Sequence, residues 1–423
     1  MSKKDNNKFD VIIVGGGMVG LTMAFLLARE TKADKTFRIA LIDGQMAVKN
    51  EIRKPRAKTT VNSFSPRVSA LSHASQALFD SLGLWQTDIA PYACPYENMY
   101  VWDAEGTGNI NFSALDIQQE DLGHIVENTV MTESLQTALA QCLNMERFTS
   151  EVNGYQARLE QHNLSLKDGT ELQGKLVIAA DGANSFIRQE ADFEIKAWSY
   201  QHQALVTTVR TEKPHNFTAS QCFLSSGPLA FLPLLDGSKD NKNQFYSSIV
   251  WSCEQEKAQA LINMEQAAFH AAIQEAFENK LGRIEESAKL ISFPLWQRHA
   301  TAYVKPGLAL IGDAAHTVHP LAGQGVNMGL LDAECLFKVL SLARQKGEDF
   351  SSEQVLSRYQ RQRKVHNLGM MALMEVFKRG FASEDLMLRW VRNVGLDLVD
   401  KAQPIKHQLM LKAMGLQGYI KAL

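Results

Sequence analysis

An uncharged hydrophobic run, "VIIVGGGMVGLTMAFLLA", extends over 18 residues near the N-terminus, behind three lysines. Such a run could be a signal peptide, a membrane helix, or a buried strand and helix joined by a turn. Gly15, Gly16, Gly17 and Gly20 stand near its middle, and each glycine costs about 1 kcal/mol in a helix interior relative to alanine. The pattern therefore predicts a strand over "FDVIIV", a glycine turn, and a helix over "MVGLTMAFLLARE".

Two kinds of hydrophobic pattern alternate along the rest of the chain. The runs "FRIALID", "KLVIAADG" and "PGLALIGD" are typical of buried strands in an α/β sheet. The shorter runs "NMYVWDAEGTGNINF", "HQALVTTVRT", "PLAFLPLL" and "NQFYSSIVWS" predict a second, mostly antiparallel sheet. An amphipathic helix is predicted over "EQAAFHAAIQEAFENKLG", and helices with Met-rich faces after Phe350.

Composition and charge are those of an ordinary globular protein. The chain has 423 residues, of which 45% are hydrophobic and 21% charged, enough for two or three domains. Its net charge of −2 argues against a general nucleic-acid binder. The charge is unevenly spread, because 12 Lys/Arg and 5 Asp/Glu follow from Arg358 onward, giving this part +7 and the rest −9.

The cysteines are five in number, widely separated and without a C-x-x-C pair. An odd set at such spacing predicts reduced, mostly buried thiols in a cytosolic protein and no metal site. The five are Cys94, Cys142, Cys222, Cys253 and Cys335.

The first chemical motif is the glycine spacing of Gly15, Gly17 and Gly20, which fits G-x-G-x-x-G. This spacing brings backbone N–H groups and a helix N-terminus against a pyrophosphate. A second strand ends in Asp43, 23 residues beyond Gly20, where a carboxylate can accept hydrogen bonds from ribose hydroxyls. The alternative is that Asp43 begins a surface turn with Gly44.

Two further motifs stand at strand ends. One is Asp181-Gly182, followed by Arg188, and the other is Gly312-Asp313, followed by a Pro/Gly loop and a helix. Each pair taken alone is usually a turn. Together with the glycine motif they make three motifs, each beside a predicted buried strand. Simple turns are a less favourable interpretation of all three together.

In this order the motifs resemble those of the class A flavoprotein monooxygenases, the FAD-dependent aromatic hydroxylases. The segments "MVGL", "RVSALSHASQALFDSLGLW", "LGHIVENTV", "GDAAHTVHPLAGQGVNMG" and "PIKHQLMLKAMGL" are similar to those of one branch, the bacterial polyprenylphenol and polyprenyl-quinol hydroxylases of ubiquinone biosynthesis. The similarity spans nearly the whole chain.

The resemblance implies an α/β fold with three parts. A Rossmann-like FAD-binding domain of the aromatic hydroxylase type would be discontinuous, over 9–83, 125–190 and 300–345. An antiparallel-sheet substrate domain would take 84–124 and 191–299. A helical C-terminal region would follow over 346–423.

The resemblance also implies FAD as the cofactor, and it implies which residues of this chain contact FAD. In the family, the aspartate matching Asp313 accepts hydrogen bonds from the ribityl chain, and Asp181-Gly182 with Arg188 serves FAD and NAD(P)H together. The helix beginning near Gly325 would direct its N–H groups at the flavin. The expected cofactor-binding residues are Gly15, Gly17, Gly20, Asp43, Arg67, Asp181, Gly182, Arg188, Gly312, Asp313, Gly323, Gln324, Gly325 and Asn327.

Two positions depart from the family pattern. Ser65 stands where an acidic residue often precedes the active-site arginine, here Arg67, and Asp43 stands where glutamate is common. Arg67 and Pro320 are the expected catalytic residues. Phe231, Leu232, Pro233 and His319 are the expected substrate wall, for which core packing is the alternative, as it also is for Leu234.

The resemblance implies an FAD-dependent monooxygenase that hydroxylates a polyprenylated phenol or quinol, most similar to the 2-polyprenylphenol 5-hydroxylase. NAD(P)H or another electron donor and dioxygen would be co-substrates. The alternatives are a sister hydroxylase acting on a later methoxyphenol or benzoquinol, a hydroxylase of a small soluble phenol, and a structural flavoprotein subunit of a ubiquinone-synthesis complex.

The basic C-terminal segment 401–423 could contact a membrane surface or a partner protein of such a complex. A solvated basic face over ordinary helices is the alternative. The expected location is the cytoplasm, with peripheral attachment to the inner face of the cytoplasmic membrane.

Overall fold

The computed structural model describes residues 7–30, 36–44, 59–104, 106–158, 161–237, 244–318 and 324–382. The strands in these ranges are β1 (Lys8–Val14), β2 (Ile39–Ile42), β3 (Val68–Leu71), β4 (Cys94–Pro95), β5 (Asn98–Asp103), β6 (Asn109–Ser113), β7 (His124–Glu127), β8 (Met145–Phe148), β9 (Val152–Ala157), β10 (His162–Leu166), β11 (Glu171–Ala179), β12 (Ile195–Thr211), β13 (Thr218–Leu224), β14 (Gly227–Leu234), β15 (Tyr246–Glu254), β16 (Ile284–Ser287), β17 (Ile291–Ala300), β18 (Val304–Lys305), β19 (Leu308–Leu310) and β20 (His316–Thr317). The helices are α1 (Met18–Ala28), α2 (His73–Ser81), α3 (Asn128–Leu139), α4 (Phe186–Glu190), α5 (Gln255–Ile262), α6 (Gln266–Ala276), α7 (Gln324–Gln345) and α8 (Glu353–Ala382).

The first sheet is built around β1. Its central order is β19-β11-β1-β2-β8, and all four pairings in this row are parallel. Helix α1 packs against α3 and α7, and the β-branched side chains of β1 are almost wholly buried. The α/β class predicted from the strand and helix pattern is confirmed.

The opening hydrophobic run is a strand, a turn and a helix, as its glycine spacing predicts. Strand β1 ends at Val14, and α1 begins at Met18 and has 11 residues, nine of them buried. No helix in the described part of the chain is long and apolar enough to cross a membrane.

The second sheet has the order β20-β17-β12-β15-β14-β13-β5-β6, with β16 beside β12. All its pairings are antiparallel except that of β13 with β5. Helices α5 and α6 cover one face through a cluster that includes Trp251 and Ile273. The opposite face, here called the inner face, carries Leu234 and Tyr246, which pack against Phe64 and Ala70 near β3.

Two segments pack differently from the three-part division expected from the sequence. Leu84, Trp85 and Ile89 belong to the core of the first sheet, although they fall in the range 84–124. Helix α8 also packs on the first sheet, where the Tyr359 hydroxyl donates to the Leu310 carbonyl at 2.8 Å. An amphipathic pattern shows that a helix has a buried face, but not which sheet that face covers.

Candidate active site

The glycine turn after β1 leaves an open space at the start of α1. Gly15 has φ +111°, and a Cβ there would lie 2.2 Å from the Ala180 carbonyl oxygen. A Cβ on Gly20 would lie 2.0 Å from the Gly15 oxygen. At Gly17, the N-cap of α1, a Cβ would meet no described atom within 4 Å. Two glycines thus permit close packing of the turn, while the third faces free space at a helix N-terminus suited to an anion.

Asp43 lies against this turn. It follows the last residue of β2 and is partly buried, and a Cβ added to Gly16 would lie 2.2 Å from its Oδ2. The strand end and the glycine turn therefore bring the carboxylate beside the anion cradle, where the sequence places a ribose contact.

Asp181 stands at the end of β11, beside the same turn. Its Oδ2 accepts the backbone N–H of Ile187, in the first turn of the short helix α4, at 3.2 Å. Its Oδ1 is buried and makes no hydrogen bond within the ranges described. Burial raises the pKa of Asp181, against hydrogen bonds from Ser185 and Ile187 that lower it. An unsatisfied buried carboxylate oxygen is costly and indicates a ligand that donates to it.

Arg188 connects the Asp181-Gly182 motif to the Gly312-Asp313 motif. It is 5% exposed, and its guanidinium donates to the carbonyl oxygens of Ala314 at 3.0 Å and Ala183 at 2.8 Å. Because these carbonyls flank the Asp181-Gly182 and Gly312-Asp313 turns, Arg188 fixes the distance between the turns. The contact with the cofactor that the sequence predicts for Arg188 stays a prediction.

Asp313 presents an accessible carboxylate just after β19, and the space in front of it is here called the cleft. Gly312 has φ +59° in the left-handed region, and the turn exposes the side chain of Asp313. Burial nevertheless raises the pKa of Asp313, and electrostatic interactions with His316, Arg67 and Arg298 lower it. An accessible carboxylate in such surroundings can accept hydrogen bonds from a polar ligand.

Two arginines face this cleft. Arg67 is exposed, and its guanidinium lies 5.2 Å from the ring centroid of Phe293. Arg298 lies 5.1 Å from the ring centroid of Trp296 and donates to the Ala183 carbonyl at 3.3 Å. The sequence predicted only Arg67. Arg298 stands in "FPLWQRHA", two residues before β17 ends at Ala300 and 15 residues before Asp313, a spacing with no motif to mark it.

The start of α7 is held by Asn327. This residue is 3% exposed; its Oδ1 accepts from Ser72 N–H at 3.0 Å and from the Ser75 hydroxyl at 2.7 Å, and its Nδ2 donates to the Ala70 carbonyl at 2.8 Å. The side chain therefore joins α7 to β3 and α2, and the cofactor contact expected of Asn327 stays a prediction.

The loop between β20 and α7 lies only partly within the described residues. Helix α7 begins at Gln324, and a Cβ on Gly325 would lie 3.5 Å from a Val318 methyl. The predicted contacts His319, Pro320 and Gly323 lie outside the described residues, as does the side chain of Gln324.

The substrate wall expected over residues 231–233 is divided between two faces. Phe231 is 2% exposed and its ring stacks on Phe277 at 3.8 Å, in the core beneath α5 and α6. Its assignment to the substrate wall is wrong, because its side chain faces α5 and α6. Side chains alternate along a strand, so its neighbour Leu232 faces the opposite side. Pro233 lies two residues after Phe231, on the same side of the strand, and is buried. Leu232 lies on the inner face, beside the cluster that contains Phe64 and Tyr246.

We expect Gly15→Ala and Gly17→Ala to separate folding from cofactor binding. Alanine at Gly15 combines a positive φ with a backbone clash, so the apo-protein should lose about 1–3 kcal/mol of unfolding free energy. Alanine at Gly17 meets open space, so its unfolding midpoint should match that of the unmodified protein while its affinity for a dinucleotide falls. Denaturant unfolding and ligand titration measure the two effects, and equal unfolding midpoints for the two variants would contradict this interpretation.

The residues present fit FAD. Gly17 leaves room at a helix N-terminus for a pyrophosphate, Asp43 can accept from a ribose, and Oδ1 of Asp181 lacks a donor in the part of the chain that the structure describes. Asp313 adds an accessible carboxylate for the hydroxyls of a ribityl chain. Together the fold and the cleft define a flavoprotein.

Comparisons with known proteins agree with this class. A family model described as an FAD binding domain matches residues 8–373. The 3-demethoxyubiquinol 3-hydroxylase of Escherichia coli is 38% identical over 97% of this chain and 100% of that protein. The mitochondrial ubiquinone biosynthesis monooxygenase COQ6 of Xenopus tropicalis is 34% identical over 95% and 92%. The crystal structure of p-nitrophenol 4-monooxygenase PnpA from Pseudomonas putida DLL-E4 has a TM-score of 0.73 at 18% identity, covering 96% of this chain and 98% of that one, and shows the fold.

The chain belongs to the FAD binding domain family and, within its class A flavoprotein monooxygenases, to the ubiquinone hydroxylases. It is an FAD-dependent monooxygenase that uses dioxygen, and NAD(P)H is the electron donor typical of the family.

Proposed function

We propose that this enzyme adds one oxygen atom to the aromatic ring of a polyprenylated phenol or quinol during ubiquinone synthesis. The observation that carries the proposal is the 38% identity with the Escherichia coli hydroxylase, which extends over the full length of that protein. Similarity over the whole length includes the second sheet, whose inner face would contact the substrate. NAD(P)H and dioxygen are the co-substrates that fit this reaction.

Two ring positions remain as candidates. The segment "QHQALVTTVRTEKPH" resembles the 5-hydroxylase of the polyprenylphenol. The Escherichia coli relative is named for the 3-position of demethoxyubiquinol, which favours a later quinol intermediate. Both substrates carry a polyprenyl tail on an electron-rich ring, so the same site chemistry serves either.

The chain's own residues orient and enclose the reaction. Bound FAD, once reduced, supplies the activation of dioxygen. Asp43, Asp181 and Asp313 would hold the cofactor through its hydroxyl groups, and Arg67 would place positive charge where negative charge develops on the reduced flavin. Leu232 and Phe293 would exclude water from the ring of the substrate.

Complementation distinguishes the two positions. The chain would be expressed in Escherichia coli strains that each lack one ring hydroxylase of ubiquinone synthesis, with Asp313→Ala as the inactive control. We expect ubiquinone to return in one strain, with loss of the intermediate that accumulates there. Failure in every strain, with flavin-loaded protein present, would contradict the proposed function.

We also propose that segment 401–423 attaches the enzyme to an anionic membrane surface, near its lipid-tailed substrate. This segment lies outside the described residues, so the proposal rests on its sequence: Lys401, Lys406, Lys412 and Lys421 alternate with apolar residues. Each lysine near such a surface contributes about 1 kcal/mol. A partner protein of ubiquinone synthesis is the alternative occupant.

Liposome sedimentation tests this attachment. The full chain should pellet with vesicles containing anionic lipid at least about tenfold more than with neutral vesicles. A variant in which these four lysines are glutamines should pellet equally with both kinds of vesicle. Equal pelleting of the full chain and the variant would contradict membrane attachment.

A further inference from the structure

A buried charged network lies directly behind the Gly312-Asp313 turn. Its centre is Asp332 of α7, which is 0% exposed. Its Oδ2 accepts the Gly312 N–H at 3.2 Å and lies 2.5 Å from Nε2 of His316. Its Oδ1 accepts from Arg363 Nε at 2.7 Å and from Asn367 Nδ2 at 3.2 Å. One carboxylate thus joins the turn, β20 and α8.

The network is almost fully enclosed, and its arginine makes two further hydrogen bonds. Arg363 is 7% exposed, and its Nη2 donates to the Met328 carbonyl at 3.2 Å and to Asn367 Oδ1 at 2.9 Å. Although burial alone would raise the pKa of Asp332, His316 and Arg363 lower it to about 2. The carboxylate is therefore ionised at neutral pH, and each of its oxygens has at least two partners.

Burying these charges is not needed to hold α7 in place. Apolar side chains of similar volume are often as stabilising as a buried ion pair, while removing one member of such a pair is strongly destabilising. What an apolar core could not do is bind the Gly312 N–H and thereby fix the direction of this left-handed turn. Asp313, the next residue, carries the exposed carboxylate.

His316 connects the network to Asp313 a second way. It is 1% exposed, and among the charged groups that lower the pKa of Asp313 against burial it has the largest effect, ahead of Arg67 and Arg298. Asp332 therefore acts on Asp313 through the backbone of the turn, and His316 acts on it through charge.

We propose that Asp332 and His316 are positioning residues for FAD, which fix the Gly312-Asp313 turn so that the Asp313 carboxylate faces the cofactor. Arg363 extends this support to α8. The proposal rests on FAD binding, and it is independent of which ring the enzyme hydroxylates.

A double-mutant cycle on FAD affinity tests whether Asp332 acts through Asp313. The apo-proteins carrying Asp332→Asn, Asp313→Asn or both would be titrated with FAD, following the quenching of flavin fluorescence. We expect Asp332→Asn to weaken binding about tenfold in the unmodified protein and less than about twofold when Asp313 is already asparagine. Equal factors in the two backgrounds would overturn the proposal, because a merely structural residue weakens both alike.

A matched histidine pair supports the cycle and decides the matter if Asp332→Asn does not fold. His316 and His299 are partners on β20 and β17, both buried, but His299 bonds to the Tyr303 hydroxyl at 3.4 Å rather than to Asp332. We expect His316→Gln to weaken FAD binding about tenfold and His299→Gln less than about twofold. Equal losses of affinity in the two variants would overturn the proposal.

Discussion

Purified Asp313→Ala protein is expected to contain no flavin. Asp313 is the accessible carboxylate of the cleft, and in the family it accepts hydrogen bonds from the ribityl chain. A hydrogen bond to a charged group contributes about 1.5–3 kcal/mol, so losing two of them should weaken FAD binding at least about a hundredfold. The flavin absorbance of the purified protein and the FAD dissociation constant of its apo-form measure this effect.

A matched control separates this effect from a general loss of stability. Asp168 is an exposed aspartate of the β10–β11 turn whose Oδ1 accepts the Thr170 N–H at 3.0 Å. Asp168→Ala should retain its flavin. Full yellow absorbance in Asp313→Ala would show that this carboxylate does not hold the cofactor.

Arg67→Ala is expected to keep FAD and lose turnover. The arginine is exposed in the cleft and packs over Phe293, while the glycine turn and the three aspartates proposed to hold the cofactor remain intact. Removing one charged group that stabilises developing negative charge costs about a hundredfold or more in kcat. Flavin content and product formation, measured on the same preparation, test the prediction.

The matched variant is Arg67→Lys. Lysine retains the charge but not the planar guanidinium that stacks on an aromatic ring, so its kcat should lie between those of the unmodified enzyme and Arg67→Ala. An unchanged rate of hydroxylation in Arg67→Ala would remove this residue from the catalytic machinery.

The glycine turn and the strand-end aspartates could be predicted from the sequence because their chemistry is local. The positive φ at Gly15 favours glycine whatever surrounds it, and a buried strand followed by Asp43 or Asp181 brings a carboxylate to the edge of the sheet. These are the parts of the site that spacing along the chain determines.

Residues defined by distant contacts could not be predicted in this way. Asp332 meets Gly312 and Arg363, 20 and 31 residues away, and in the sequence it is one more acidic residue of a helix. Phe231 and Leu232 show the same limit in a strand, because alternation indicates that they face opposite sides but not which side faces the cleft. Both faces of that strand are covered, by α5 and α6 on one side and by the Phe64 cluster on the other.

Isotope labelling tests the central claim most directly. A strain that depends on this enzyme for its ubiquinone would be shifted briefly to heavy-isotope dioxygen, and its new ubiquinone analysed by mass spectrometry. If this FAD-dependent monooxygenase hydroxylates the ring, the step it restores should place one heavy oxygen atom at that ring position. Newly made ubiquinone that carries only light oxygen at that position would contradict the account.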